Sequence, residues 1–304
     1  MGICEGRVVI VTGAGGGLGR AYALGLAAEG AKVIVNDLGV GTHGEAGETK
    51  GAAEKVVDEI RAAGGEAIAD TADVADWEAT RETVRKAIDA FGKLHAVVNN
   101  AGFVRDRMFV SATPEEWDAV TRVHLRGHFC LSRHAVDHWR AEQKAGRPVS
   151  ARIVNTTSGA GLQGSVGQSA YSAAKAGIAT LTLVQATELA RYGITANALA
   201  PNARTRMTMT AFADTMTSMQ EAAFDPYAPE NTAPLVAWLA SEASARVTGQ
   251  VFEPFGGIIR IAQGWTDGPT SADPGRALRA DEVGAVVEAL VAGRAPAKPV
   301  YGAG

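Results

Sequence analysis

Short apolar runs alternate with longer amphipathic stretches over the first 250 or so residues, a rhythm of strand then helix repeated along the chain. The runs predict strands at Arg7–Thr12, Lys32–Asn36, Glu66–Asp70, His95–Asn99, Arg152–Thr157, Ile194–Leu199 and Gln250–Glu253. Helical patterning falls between them near Leu18–Glu29, Gly51–Ala63, Trp77–Phe91, Pro114–Arg140, Gln168–Arg191 and Ala228–Ala240. The long segment after Thr113 carries its own start signal: Thr113 can cap, Pro114 supplies the first-turn φ, and Glu116 can bond back to the cap. Nearly continuous apolar strands joined by helices predict an α/β protein, a doubly wound parallel sheet of about seven strands with helices on both faces. No internal repeat interrupts the pattern. Two regions depart from it: a Gly-rich insertion at Gly39–Lys50, and a tail from about Ile261 with one amphipathic stretch at Asp281–Val291. The expected division is therefore one α/β domain over residues 1–260 and a C-terminal extension over 261–304. That extension is expected to pack on the domain or on a partner subunit.

Composition narrows the class. The 304 residues are 46% hydrophobic and 20% charged, ordinary for a globular protein able to bury a large core. A net charge of −4 with no basic stripe argues against a nucleic-acid partner. Two cysteines, Cys4 and Cys130, offer no disulfide framework and fit a reducing compartment. No window reaches the roughly 18 apolar residues of a membrane span, and the N-terminus shows no signal-peptide pattern. A cytoplasmic location without membrane attachment is the expectation.

Candidate chemistry begins at Val8–Arg20, an apolar strand, a glycine turn and a helix start. Gly13, Gly16, Gly17, Leu18 and Gly19 would bring backbone N–H groups close to a pyrophosphate. Alone, such a turn also occurs without binding anything. Asp37, ending the second strand about twenty residues on, is placed to accept bonds from adenosine ribose hydroxyls and to repel a 2′-phosphate, favouring NAD over NADP. Its other reading is a turn residue. Asp73 and Val74 are candidates to bond and cover adenine, and Asn100, Ala101 and Gly102 to let the cofactor approach; singly, either run is also an ordinary loop. Farther along, Ser158 follows a strand, and Tyr171 and Lys175 stand one helical turn apart on a shared face. A phenol titrates near ~10, and an adjacent ammonium lowers that value. As an isolated pattern, Tyr-x-x-x-Lys is common by chance.

The ordered combination of Thr12-Gly13-x-x-x-Gly17-x-Gly19, Asn99-Asn100-Ala101-Gly102, Ser158 and Tyr171-x-x-x-Lys175 resembles the short-chain dehydrogenase/reductase family over roughly residues 5–265. Asn36-Asp37-Leu38-Gly39 with its insertion, Arg105-Asp106-Arg107, Arg122–Gly127 and Pro201–Thr208 look like the (3R)-hydroxyacyl-CoA dehydrogenase portion of the peroxisomal multifunctional enzymes. The resemblance implies a Rossmann-type fold and a stand-alone dehydrogenase without hydratase or sterol-carrier segments. It implies hydride transfer between a secondary alcohol and NAD, with Tyr171 as acid/base, Lys175 lowering its pKa and holding the nicotinamide ribose, and Ser158 bonding the substrate oxygen. Pro201 and Ala203 join the implied cofactor contacts. The implied substrate is a 3-hydroxyacyl-CoA with a fatty or steroid-derived chain, and the implied assembly a homodimer or homotetramer.

Two departures stand out: His124 occupies the family's usual catalytic-set Asn, and Pro201-Asn202 and Arg206 replace Pro-Gly and a later Thr. Arg105, Arg107, Arg204 and Arg206 are candidates for CoA phosphate, or else solvated surface charge. Met207–Phe224, with four methionines and two phenylalanines, reads as an adaptable lid or as helix core. His124/His128 and His134/His138 have i, i+4 spacing, but without a supporting motif no metal is expected, and His128, His134 and His138 read as helix-surface or interface residues. A free steroid or other alicyclic alcohol is the alternative substrate. A non-catalytic NAD(H)-sensing module is the alternative of another class.

Overall fold

The computed structural model describes residues 2–41, 44, 51–211, 217, 223–296, 298 and 300. Among these, eight strands form one sheet: β1 Val8–Thr12, β2 Lys32–Asn36, β3 Ala67–Asp70, β4 Ala96–Asn99, β5 Ala151–Thr156, β6 Ile194–Leu199, β7 Val251–Phe255 and β8 Ile258–Ile261. Their order is β3-β2-β1-β4-β5-β6-β7-β8, parallel throughout except for the final antiparallel pair. The expected seven strands are present within a residue or two. β8 is additional: it folds back after Gly256, whose φ of 54° is cheap only for glycine, and all four of its residues are exposed. A short edge strand exposed on both faces has no burial period, so its pattern is silent.

Helices cover both faces: α1 Gly17–Ala28, α2 Ala52–Ala62, α3 Trp77–Phe91, α4 Pro114–Thr121, α5 Gly127–Lys144, α6 Gly159–Gln163, α7 Ser169–Leu189, α8 Arg206–Ala211, α9 Ala233–Ala240 and α10 Ala280–Ala292. Alternation along the strands sorts the core into two layers. Val9, Val11, Val33 and Val35 face α1, α2 and α9, meeting Tyr22, Leu26, Ile60 and Leu239. Val8, Ile10, Val97 and Ile153 face the other way, toward Val84, Leu131 and Trp139 of α3 and α5. Each such buried aliphatic side chain contributes roughly 1.5–3 kcal/mol. The Thr113 cap forms as anticipated, with its hydroxyl and Glu116 bonding reciprocally.

The single helix expected over Pro114–Arg140 is instead interrupted. A π-helical turn at Arg122–Arg126 separates α4 from α5, and α5 runs on to Lys144. This insertion accommodates an extra residue within the helical path and turns His124 inward, where it is buried. Periodicity in sequence cannot register one residue of slippage inside a continuous helical pattern. Beyond Ile261 the chain leaves the sheet, and no residue of α10 is buried. No helix among the described residues is long and apolar enough to cross a membrane.

Candidate active site

The strand order reverses between β1 and β4, opening a crevice beyond their carboxyl ends. The turn after β1 fills the base of it. Gly13 and Gly17 adopt φ of 62° and 51°, and a Cβ on Gly13 would stand 2.7 Å from the Ala101 Cα. A Cβ on Gly19 would meet the Gly13 carbonyl oxygen at 2.0 Å. Thr12 and Asn100 knit the turn to the end of β4: Thr12 Oγ1 accepts from the Asn100 amide at 2.9 Å, and Asn100 Nδ2 donates to Thr12 O at 3.0 Å. No side chain caps α1, so its first N–H groups remain available to an anion. Asp37 accepts from the Gly15 and Gly39 amides, each at 2.8 Å, which holds its carboxylate at the rim.

Gly13, Gly16, Gly17, Leu18, Gly19, Asp37, Asp73, Val74, Asn100, Ala101 and Gly102 all line one cavity of about 360 Å³. Every cofactor-binding candidate from this half is therefore brought together. The donor set, a glycine cradle at a helix start with a fixed carboxylate some distance away, fits a dinucleotide. Asp73 is further tied to Arg122 at 2.7 Å. Of the Gly39–Lys50 insertion, Val40, Gly41 and Gly44 border the cavity, while residues 42, 43 and 45–50 lie outside the described residues.

A second cavity of about 60 Å³ adjoins the first, the two sharing Leu18, Asn100, Thr205 and Met207 as walls. Ser158, Tyr171, Lys175, Pro201 and Ala203 line it. Ser158 caps α6, accepting from the Ala160 amide at 3.1 Å. Lys175 is buried, its Nζ donates to Thr156 O at 2.6 Å, and it stands 5.6 Å from the Tyr171 ring centroid. Burial pulls the Lys175 pKa down to about 7, because the ammonium has lost its water shell. Thr157 Oγ1 donates to Lys175 O at 2.6 Å and locks that turn of α7 against β5. Thr156 and Thr205 also line this cavity, and sequence reading passed over both. Thr156 carries the same signal as Ser158, a polar residue at the end of a strand; Thr205 carries none.

The four arginine candidates do not converge. Arg105 lines the larger cavity and stacks over Phe103 at 5.7 Å. Arg107 pairs with Glu116 at 2.8 Å, away from both cavities. Arg204 is bound by both oxygens of Asp225, at 2.6 and 2.9 Å. The Arg206 side chain lies outside the described residues, as does most of Met207–Phe224, of which Met207 borders the cleft. Two histidines expected at a helix surface or an interface are buried within the fold of the single chain. His128 meets the Thr156 amide at 3.4 Å, and His134 packs on Trp77 at 4.0 Å between ring centroids. His128 faces the end of β5, whereas His134 faces the start of α3, where its Nε2 lies 2.8 Å from Trp77 O. Among the described residues no group of three or more candidate ligands gathers for a metal.

A doubly wound sheet with a dinucleotide-sized crevice running into a Ser, Tyr and Lys cleft defines a nucleotide-dependent oxidoreductase. The short chain dehydrogenase family model matches residues 7–216, and the chain belongs to that family, whose members use NAD or NADP. It is 46% identical to the hydroxyacyl-CoA dehydrogenase ChsB1 of Mycobacterium tuberculosis, over 84% of this chain and 80% of that one. To the peroxisomal multifunctional enzyme type 2 of Mus musculus it is 45% identical, over 86% of this chain but only 32% of that much longer protein. A crystal structure of a short chain dehydrogenase from Mycobacterium avium superposes with a TM-score of 0.88 at 57% identity, covering 99% of this chain and 100% of that one.

Proposed function

We propose that this chain is an NAD-dependent dehydrogenase interconverting a 3-hydroxyacyl-CoA and the 3-ketoacyl-CoA, with a fatty or steroid-derived acyl chain. The observation that carries the reading is the buried Lys175 ammonium beside Tyr171, in a cleft continuous with the dinucleotide-sized cavity. A desolvated ammonium and a phenolate stabilise each other, so Tyr171 is deprotonated at a pH where it can take the substrate hydroxyl proton. Ser158, held by its own cap, bonds the substrate oxygen and aligns it with Tyr171. Bound NAD supplies the hydride acceptor. Asp37 supports NAD over NADP, since its carboxylate would stand against a 2′-phosphate. The acyl-CoA class rests on the names of the relatives at 46% and 45% identity. Arg105, at the cavity wall, is the cation best placed for a CoA phosphate.

Mixing the protein with NAD and (3R)-hydroxyacyl-CoA esters of varied chain length, while following nicotinamide absorbance, tests the proposal. Turnover of thioesters is expected. Turnover of a free steroid alcohol alone would replace the substrate class, and silence with every alcohol would leave only a nucleotide-binding module.

The same reading includes a homodimer or a homotetramer, with the extension beyond Ile261 docked on a partner subunit. Support comes from the unburied apolar stripe of α10, Val283, Val287 and Val291, and from the exposed Ile258, Ile259, Ile261 and Trp265. Light scattering on the purified chain is expected to give twice or four times the 31.4 kDa chain mass, and a monomer would overturn this. A cytoplasmic setting goes with it, supported by the unpaired Cys4 and Cys130.

A further inference from the structure

One side chain of the smaller cavity takes no part in the chemistry proposed above. Gln168 stands at the start of α7, three residues before Tyr171, and both line that cavity. Positions three apart on a helix are neighbours, with Cβ atoms about 5–6 Å from each other. Gln168 is the N-cap of α7, where Ser, Thr, Asp or Asn would bond an orphan amide. Its side chain makes no such bond, so the helix begins without a side-chain cap. It turns instead to Asp106, and Nε2 donates to both carboxylate oxygens at 3.0 Å.

The backbone around this pair is held from both sides. Arg107 N donates to Gly167 O at 2.7 Å, a parallel bridge joins Arg107 to Gln168, and Gln168 N donates to Ser165 O at 3.2 Å. Asp106 thus meets Gln168 at a joint between the loops that follow β4 and β5. An ionised carboxylate accepts and cannot donate, so it decides which end of the amide points where. The nitrogen belongs to Asp106, and Oε1 is the end left for the cleft. No donor among the described residues reaches Oε1. That oxygen is not a sealed atom, although Gln168 as a whole is only 7% exposed. The smaller cavity therefore presents a hydrogen-bond acceptor of settled orientation, one helical turn from the reacting phenol.

We propose that Gln168 is a specificity-determining residue: its Oε1 accepts from the first amide N–H of the thioester arm, with Asp106 holding it in position. This role rests on the hydroxyacyl-CoA reading and deepens it. In such a substrate the reacting C3 is followed by C2, the thioester carbon, sulfur, two methylenes and then an amide nitrogen. The thioester itself offers no donor, so that N–H is the first one beyond the reacting hydroxyl. Six bonds separate it from C3, and bent they span a distance comparable with the pitch of a helix, about 5.4 Å. An alicyclic alcohol without a second donor would leave Oε1 dehydrated and unpaired, which disfavours it. Gln168 thus separates two substrate classes that Ser158, Tyr171 and Lys175 by themselves treat alike.

Two small thioesters isolate this bond. One is (3R)-hydroxybutyryl-N-acetylcysteamine, which keeps the amide; the other is its 2-acetoxyethyl analogue, in which an ester oxygen replaces N–H. Wild type with NAD is expected to favour the amide by about 10-fold in kcat/KM, the effect of one hydrogen bond. The difference should lie in KM, with kcat within about 3-fold, since the bond is present before and during hydride transfer. Gln168→Leu is expected to bring the two substrates within about 2-fold, the loss falling on the amide. In Asp106→Asn the partner donates as well as accepts, the glutamine amide can turn, and the preference should shrink to about 3-fold. A ratio between two substrates on one protein cancels any loss of folded enzyme. A wild-type preference below about 2-fold would overturn the proposal whatever the variants do, as would Gln168→Leu keeping the full preference. An unchanged preference in Asp106→Asn would overturn the positioning by Asp106. Should wild type turn over no thioester of any kind, the proposed function falls and this role with it. Equal turnover of the two small thioesters removes only the role of Gln168.

Discussion

The two halves of the cleft are built from different materials. Around the larger cavity the chemistry is mostly backbone: a glycine turn, the open start of α1, and one carboxylate held by two amides. Around the smaller cavity it is side chains, Ser158, Tyr171, Lys175 and His124, delivered by three separate segments of the chain. The first half needs only local geometry and shape, and its groups are stable as they stand. In the second, a lysine and an imidazole are buried where the loss of water lowers both pKa values and disfavours their charged forms. The proposed binding thus falls to the first half and the proposed reactivity to the second.

The sharpest way to break this contrast is Tyr171→Phe. It removes one oxygen from the reactive half and nothing from the cradle, so kcat is expected to fall by about 10²–10⁴ while NAD affinity stays within a few-fold. Steady-state kinetics with fluorescence titration of NADH check both. Equal loss of binding and turnover would mean that the halves are not separable. Asp37→Ser tests the other side: NAD binding should weaken by about 10-fold and discrimination against NADP should shrink, because a carboxylate that repels phosphate has gone. Saturating kcat should change little, and a collapse of kcat would tie Asp37 to the chemistry.

Lys175→Met probes the strain itself, with a smaller readout. Turnover should be lost, yet the melting temperature is expected to rise by a few degrees. The sign follows from the lowered pKa: the folded state pays fully for the buried charge below about pH 7, and the cost fades as the pH climbs toward the ordinary lysine value near 10.5. The stabilisation by methionine should accordingly be largest below pH 7 and disappear toward pH 10. Calorimetry across that range checks it, and a lower melting temperature at every pH would show that the Thr156 contact outweighs the desolvation cost.

Much of this molecule is written locally. Strand and helix alternation, the Thr113 cap, the glycine turn and the Tyr171–Lys175 spacing each depend on residues a few positions apart, where backbone sterics and helical pitch act directly. The site candidates nearest the glycine turn were legible for the same reason, since a backbone cradle is encoded by the absence of side chains. Tertiary structure alone settled the rest. It showed Arg204 clamped to Asp225 and Arg107 to Glu116, partners 21 and 9 positions away whose meeting no spacing rule foretells. It buried His128 and His134, and it turned His124 into the cleft through a π-helical step of one residue. It also added β8, which is held by pairing with β7 and not by any burial of its own. Periodicity reports which face a residue presents; only the packed fold reports what stands opposite it, and that neighbour sets the charge and the chemistry.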